Sequence, residues 1–147
     1  MSKVEKSLRV PFIKMQGLGN DFIIIKKADL INDLSSTTIS KMSDRHAGIG
    51  CDQLIVIAED DNADCFMSIY NADGGAVDAC GNATRCVGLL LMNEQSKNRV
   101  SIQTNAGLLH AQKEGAAVKV WLPAPKFENS AIPLTDMMNH EALDFSS

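Results

Sequence analysis

The sequence predicts an α+β fold in which a barrel-like, mostly antiparallel sheet wraps around a central buried helix. Short apolar segments rich in β-branched residues alternate with turns that contain glycine and asparagine, a pattern typical of strands. Residues 79–93 are apolar nearly all round, and a helix of that kind belongs inside a protein. Further strand patterns follow this helix, so strands of the predicted sheet come both before and after it in the sequence.

Seven strands and one shorter helix complete the predicted elements. Four strand patterns precede the central helix and three follow it: residues 10–15, 22–25, 54–58, 65–70, 100–104, 108–113 and 117–122. The first two are joined by a turn that contains Gly17 and Gly19. The short helix has N-cap candidates at residues 35–38 and is predicted to run to about Asp44.

Length and composition indicate one globular domain followed by an exit segment. The chain has 147 residues, of which 45% are hydrophobic and 22% are charged, the balance of a folded globular protein. From Pro123 onward, prolines and polar residues interrupt any regular pattern. We therefore predict a domain over residues 1–123 and a linker over residues 124–147, with another domain expected beyond it.

Charge and hydropathy give no reason to expect a nucleic acid or a membrane as partner. The formal net charge is -4, and the longest apolar run near the centre, residues 87–92, is far too short to span a bilayer. The first ten residues lack the pattern of a signal peptide, so we expect a cytoplasmic protein with reduced cysteines. No cysteine pair forms a CxxC motif, and His46 and His110 lie at no zinc-ligand spacing, so no metal site is expected.

Three segments combine small residues with carboxamide side chains: residues 17–22, 44–53 and 71–82. Glycine lets the backbone approach a ligand closely, and Asn or Gln supplies both a donor and an acceptor. This combination suits a zwitterionic amino acid, because its carboxylate and its ammonium group need opposite partners. Each segment by itself is equally typical of an ordinary turn, and only as a set do the three indicate a binding site.

Cys80 is the strongest candidate for a reactive group. It lies just before the predicted central helix, where free N–H groups and the helix dipole favour negative charge and hence the thiolate, which can abstract a proton. The N–H groups of Gly81 and Asn82 could bind a substrate carboxylate at the same place. Arg85 is predicted to form a salt bridge. The three other cysteines are predicted to be small residues of the core or of strands: Cys51, Cys65 and Cys86.

Four segments in order along the chain resemble the N-terminal half of the diaminopimelate epimerase family: MQGLGNDF, DRHAGIGCDQL, NADGGAVDACGNATRC and LPAPKF. The resemblance covers nearly the whole chain up to about Pro133. It implies an enzyme of two similar halves, each a barrel-like sheet around a central helix, with the active site in the cleft between them. It also implies an isomerase of lysine and peptidoglycan precursor synthesis that uses neither pyridoxal phosphate nor a metal.

The resemblance also implies roles for individual residues. Cys80 would be one of two catalytic cysteines that face the α-carbon, and the amides of Gly81 and Asn82 would hold the α-carboxylate. Further substrate contacts would come from three carboxamide side chains: Asn20, Gln53 and Asn71. One thiolate would remove the α-proton while the opposite thiol delivers a proton to the other face, which converts LL-diaminopimelate into meso-diaminopimelate.

The sequence departs from the family pattern because the second half, with its own cysteine motif, is missing. None of the remaining cysteines has the glycine-rich setting expected of the second catalytic cysteine. We therefore expect the chain alone to be inactive or nearly so. Its partner is expected to be the missing C-terminal half or a second copy of the chain.

Two other functions are compatible with the sequence. The chain could belong to another racemase of the same superfamily, of the proline or hydroxyproline type, or to an isomerase of the phenazine-pathway type. It could also be a non-catalytic module that binds an amino acid or assembles with a partner half. A racemisation assay with an added second half would separate the enzyme from the module.

Overall fold

A computed structural model describes residues 9–122, and the linker predicted for residues 124–147 lies outside this range. Eight strands are found in the described range: β1 (Ile13–Gly17), β2 (Asn20–Lys26), β3 (Gln53–Ala58), β4 (Cys65–Asn71), β5 (Ala76–Val77), β6 (Arg99–Thr104), β7 (Gly107–Glu114) and β8 (Ala117–Trp121). The helices there are α1 (Ser36–Ser43), α2 (Gly81–Gln95) and a 3₁₀ turn over Lys27–Asp29.

All the described strands belong to one mixed sheet. The strand order is β1-β2-β3-β4-β6-β7-β8, and β5 pairs with β4 outside this path. The pairs β2–β3 and β4–β6 are parallel, and the other pairs are antiparallel. Helix α2 contacts β1 and β2 at one end of the strand order and β6, β7 and β8 at the other, so the sheet curls around it as a half-barrel. The predicted α+β class is confirmed.

The central helix is as buried as its sequence predicts. Its first three turns are buried or half-buried, and only its last residues, from Asn93 onward, are exposed. Val87 is completely buried in the core that α2 shares with the sheet. Gly88 lets the helix approach β7 closely, because a Cβ at this position would lie 2.5 Å from the Cβ of Ala111.

Strand β2 is buried on both of its faces, which explains its unbroken apolar run. Phe22 and Ile24 pack into the core around α2, whereas Ile23 and Ile25 pack into a second core on the opposite face. Ile39 of α1 belongs to this second core. Successive side chains of a strand point to opposite faces, so a strand covered on both sides needs apolar residues at every position.

The shorter helix begins and ends where the sequence predicts. The Ser35 side chain accepts a hydrogen bond from the Thr38 N–H at 3.1 Å and caps α1, and Asp44 follows as the C-cap residue. The first strand lies later than predicted and starts at Ile13. Strand β5 and the 3₁₀ turn were not predicted, because two or three residues are too few to show a periodic pattern.

A tight turn joins β1 to β2 and brings Asn20 to the start of β2. Leu18 and Gly19 both have positive φ angles, 50° and 86°, as a type I′ hairpin turn requires. Leu18 is 76% exposed at the tip of this turn. Over residues 9–122, no helix is both long and apolar enough to cross a membrane.

Candidate active site

The candidate site lies at one edge of the sheet, where several elements meet. Because β2 and β3 are parallel, both begin at the same end of the sheet, and Gln53, the first residue of β3, pairs with Phe22, the third residue of β2. Strand β4 runs the opposite way and ends there, so Gln53 pairs with Asn71. Helix α2 begins at Gly81, after β4 and β5. The topology therefore gathers the three segments that the sequence analysis identified.

Asn20 and Asn82 are in direct contact. The Asn82 Nδ2 donates to the Asn20 Oδ1 at 2.8 Å, which ties the start of α2 to the start of β2. On its other side, the Asn82 Oδ1 accepts a hydrogen bond from Arg85 at 2.9 Å. Within the described part of the chain, Arg85 binds a carboxamide and pairs with no carboxylate, so the expected salt bridge is not found there.

Gln53 and Asn71 form a second carboxamide pair across β3 and β4. The Gln53 Nε2 donates to the Asn71 Oδ1 at 3.1 Å. The Gln53 Oε1 is buried and has no hydrogen-bond partner among residues 9–122. A buried acceptor without a donor costs about 1–3 kcal/mol. Such an atom marks a place where a ligand's N–H could bind.

Cys80 occupies the N-cap position of α2. Its backbone is extended, with φ of −149°, and its side chain makes no capping hydrogen bond. Its carbonyl oxygen accepts from both the N–H and the Oγ1 of Thr84, at 2.9 and 2.8 Å, so the first helical turn is well fixed. The N–H groups of Gly81 and Asn82 have no acceptor among the described residues. The start of α2 therefore offers a half-buried thiol beside two free donors.

The other three cysteines are buried, as the sequence analysis predicts: Cys51, Cys65 and Cys86. Burial, together with the nearby negative charge of Asp64, raises the pKa of Cys65 to about 12. Burial also raises the pKa of Cys86, and the charge of Cys80 adds to this effect. Neither thiol is suited to act as a base at neutral pH. Cys80 differs from both because it is only half-buried.

A charged cluster that the sequence analysis missed lies beside Asn20. Arg45 donates to both carboxylate oxygens of Asp21, at 2.9 and 2.8 Å, and to the Oδ1 of Asp52 at 3.0 Å. Lys14 binds the same Asp21 carboxylate at 2.8 Å. Hydrogen bonds from Arg45, the larger effect, and from Lys14 hold the pKa of Asp21 well below its usual range, although burial acts to raise it. Opposite charges within the motif segments were a usable signal for this cluster.

Asp52 connects this cluster to the carboxamides. Its Oδ2 accepts from the Asp21 N–H at 3.0 Å and lies 3.4 Å from the Asn20 Nδ2. The Asp52 N–H donates in return to the Asp21 Oδ1 at 2.9 Å. The starts of β2 and β3 are thus joined by reciprocal hydrogen bonds next to the candidate site.

The arrangement can recognise an amino acid and hold a base beside it. Two free backbone donors at the start of α2 suit a carboxylate. The unpartnered Gln53 oxygen suits an ammonium group. Within residues 9–122, no three His, Cys, Asp or Glu side chains are grouped so that they could hold a metal ion.

Comparison with known sequences identifies the family. The family model for diaminopimelate epimerase matches residues 12–126. A diaminopimelate epimerase of Acidiphilium cryptum is 48% identical over 86% of this chain and 46% of its own length. One from Phenylobacterium zucineum is 42% identical over 91% of this chain and 49% of its own length. The chain therefore spans about half the length of the curated relatives it matches.

Solved structures support the fold. A methylitaconate-delta-isomerase structure superposes with a TM-score of 0.60 at 24% identity, over 80% of this chain and 66% of that one. A hydroxyproline epimerase from Agrobacterium vitis superposes with a TM-score of 0.50 at 17% identity, over 74% of this chain and 40% of that one. At these identities the likeness concerns the fold alone. The match of the family model over most of this chain shows that the chain belongs to the diaminopimelate epimerase family.

Proposed function

We propose that this chain provides one half of the active site of a cofactor-independent isomerase that converts LL-diaminopimelate into meso-diaminopimelate. The observation that carries the proposal is the place of Cys80 as the N-cap of α2, beside two backbone N–H groups that have no acceptor among residues 9–122. Family membership supports the same reaction, because the relatives at 42–48% identity are named diaminopimelate epimerases.

The start of α2 binds the α-carboxylate of the substrate in this proposal. The N–H groups of Gly81 and Asn82 donate to it, and the helix dipole adds favourable electrostatic interaction. The Asn82 side chain is engaged with Asn20 and Arg85, which fixes this residue at the helix start, and its backbone N–H is the group assigned to the ligand. Asn20 lies beside this pair and lines the same end of the site.

The second carboxamide pair binds the α-ammonium group. The buried Gln53 Oε1 has no donor among the described residues, and an ammonium N–H supplies one. The Asn71 Oδ1 already accepts from Gln53, so its Nδ2 is the group assigned to a polar contact with the ligand. Binding of this group would remove the cost of leaving a buried acceptor unsatisfied.

Cys80 exchanges a proton with the α-carbon. Its thiolate takes the α-proton and becomes a thiol, and the electron pair of the broken C–H bond stays on the α-carbon next to the bound carboxylate. A second thiol on the opposite face then gives its proton to that carbon and becomes a thiolate. In the reverse direction the two groups change roles, so protons and charge balance in both directions.

The second thiol lies outside the 147 residues of this sequence in this proposal. All four cysteines of the sequence lie within the described range, and the three besides Cys80 are buried. The partner is a half equivalent to the C-terminal half of the relatives, and a second copy of this chain is the alternative. Leu18 and Leu122 are exposed near the site and suit contact with such a partner. The chain alone is then inactive or nearly so.

A closed cleft between the two halves would exclude water from the α-carbon. An α-proton is weakly acidic, and charged groups interact more strongly once water is removed. The reaction requires Cys80 to stay a free thiol, which places it in the reducing cytoplasm.

Epimerisation by reconstituted halves tests this proposal. The chain is mixed with the C-terminal half of the Acidiphilium cryptum relative, and conversion of LL- into meso-diaminopimelate is followed by chiral chromatography. We expect turnover from the mixture, almost none from either polypeptide alone, and loss of turnover with Cys80→Ala. Cys65→Ala, at the far end of β4, is the matched control and should keep activity.

The same assay separates the enzyme from a binding module. Saturable binding of LL-diaminopimelate without turnover in any combination, a second copy of the chain included, would mean that the chain is a non-catalytic module. Turnover of proline or hydroxyproline in place of diaminopimelate would assign the chain to another racemase of the superfamily.

A further inference from the structure

We propose that Asp52 is a positioning residue of this site. Held by Arg45, it fixes the orientation of the Asn20 carboxamide and, through Asn20, that of the Asn82 carboxamide at the start of α2. The functional meaning of this orientation rests on the function proposed above, in which Asn20 and the start of α2 bind the substrate.

The four side chains from Arg85 to Asp52 form a hydrogen-bonded row with one direction. Arg85 donates to the Asn82 Oδ1, and the Asn82 Nδ2 donates to the Asn20 Oδ1. The Asn20 Nδ2 then faces the Asp52 carboxylate at 3.4 Å. A guanidinium can only donate and a carboxylate can only accept. These two ends therefore dictate which way each carboxamide between them must face.

Reversal of the Asn20 carboxamide would be unfavourable at both of its contacts. Its oxygen would face the negative Asp52, and its NH₂ group would face the NH₂ group of Asn82. The Asn20 Nδ2 lies 3.4 Å from the Asp52 Oδ2, which is long for a hydrogen bond. The negative charge of Asp52, more than the hydrogen bond, therefore causes the preference for the native orientation. The hydrogen bonds of this row use one N–H and one lone pair of each carboxamide, so each has one further N–H and one further lone pair.

Asp52 can exert this effect because it is fixed by its own contacts. Its Oδ1 accepts from Arg45 at 3.0 Å, and its Oδ2 accepts from the Asp21 N–H at 3.0 Å. Arg45 is itself anchored by both oxygens of Asp21. The charges that orient the carboxamides thus belong to Asp52, Arg45 and Asp21, which take no part in the proposed reaction itself.

Asp52→Asn tests the proposal, because it removes the charge and keeps the size of the side chain. A carboxamide at position 52 can present either its oxygen or its NH₂ group, so Asn20 is no longer held in one orientation. The matched control is Asp64→Asn. Asp64 lies next to the start of β4, at the far end of the sheet, where its carboxylate likewise accepts from a backbone N–H, a hydroxyl and a lysine.

The first readout is the ¹H–¹⁵N spectrum of the asparagine side chains in the full chain. We expect the Asn82 NH₂ signals to shift in Asp52→Asn, although residue 52 does not contact Asn82, and to stay in place in Asp64→Asn. In an Asn20→Ala background, Asp52→Asn should leave the Asn82 signals unchanged, because the connecting residue is gone. Asn82 signals at their native positions in Asp52→Asn would overturn the proposal.

A second variant keeps the test decisive if Asp52→Asn does not fold. Arg45→Gln keeps the Asp52 carboxylate but removes the group that holds it. We expect a smaller shift of the Asn82 signals, in the same direction as with Asp52→Asn. Signals identical to those of the native chain would again contradict the positioning role.

The second readout is the binding of LL-diaminopimelate by the full chain, measured by calorimetry. We expect Asp52→Asn to weaken binding about tenfold, as the loss of one well-oriented hydrogen bond does, and Asp64→Asn to leave the affinity within about twofold. Equal binding by Asp52→Asn and the native chain would overturn the positioning role. Shifted Asn82 signals in Asp52→Asn would support the role of Asp52. If the native chain then binds no diaminopimelate even with the C-terminal half of the Acidiphilium cryptum relative added, the proposed function is overturned while the role of Asp52 stands.

Discussion

At the scale of single residues, Asp21 lies at the centre of the charged cluster beside the candidate site. It accepts two hydrogen bonds from Arg45, one from Lys14 and one from the Asp52 N–H. All of these favour the ionised carboxylate, and the pKa of Asp21 is therefore well below its usual range, mainly because of Arg45. A lowered pKa in the folded state links stability to pH.

Asp21→Asn should reduce the free energy of unfolding by about 1 kcal/mol at pH 7, an effect that solvent screening of the exposed Arg45 keeps modest. An aspartate in an unfolded chain has a pKa of about 3.9. Because the folded-state pKa is lower, the stabilisation is complete above pH 3.9 and is lost as the pH falls toward the folded-state pKa. Urea unfolding at pH 7 and at successively lower pH measures it.

Asp33→Asn is the control for this prediction. Asp33 pairs with Lys27 in an ion pair on the surface, and its own side chain is 82% exposed. Exposed pairs contribute little, so the change should leave the unfolding free energy nearly unaltered at any pH. If the free energies of unfolding of Asp21→Asn and the native chain differ more, not less, as the pH falls below 4, the role of Asp21 is contradicted.

The residue pattern predicts the carboxamides of the site better than its charges. Asn20, Gln53 and Asn71 were identified because each stands beside glycines or at a strand end, and the structure brings all three to one edge. Arg45 and Asp52 were not, because their contacts with Asp21 depend on the parallel pairing of β2 with β3. The binding roles of Asn20, Gln53 and Asn71 stay predictions.

At the scale of elements, the close packing of α2 on β7 depends on Gly88. The helix is central to the sheet, and its N-terminus carries Cys80, so its position also sets the position of the candidate base. A Cβ at residue 88 would lie 2.5 Å from the Ala111 Cβ, far inside van der Waals contact.

Gly88→Ala should therefore lower the free energy of unfolding by about 1–2 kcal/mol, because overpacking outweighs the better helix propensity of alanine. Gly81→Ala is the matched control in the same helix. A Cβ there would meet the Leu122 Cδ1 at 3.8 Å, an ordinary contact, so its stability should be almost unchanged. Thermal or urea unfolding measures both variants.

A compensating substitution strengthens this test. Ala111→Gly removes the methyl group that a Cβ at residue 88 would meet, so the double variant should recover part of the stability lost by Gly88→Ala. If Gly88→Ala is as stable as the native chain, α2 and β7 are not packed as closely as the structure shows.

Element types could be predicted from the sequence more readily than their pairing. The unbroken apolar run of β2 and the apolar surface of α2 indicate burial on both sides, and the structure confirms it. The parallel pairs β2–β3 and β4–β6 leave no local signal, because direction is set by the connections. Strand β5, of two residues, is too short for any periodicity.

At the scale of the whole molecule, the described chain is a half-barrel around one helix with a candidate site at its edge. It spans about half the length of its relatives from Acidiphilium cryptum and Phenylobacterium zucineum. In the proposed reaction, two faces of the α-carbon need two thiols, and this chain offers one that is not buried. The proposed reaction depends most on the role of that thiol.

Deuterium incorporation at the α-carbon of LL-diaminopimelate in heavy water tests this role most directly. The chain, supplied with the C-terminal half of the Acidiphilium cryptum relative, should catalyse incorporation. Cys80→Ala should reduce the rate at least about 100-fold, the contribution typical of a positioned acid or base, while Cys65→Ala keeps it within about twofold. Incorporation by Cys80→Ala at the native rate would contradict the assignment of Cys80 as the base.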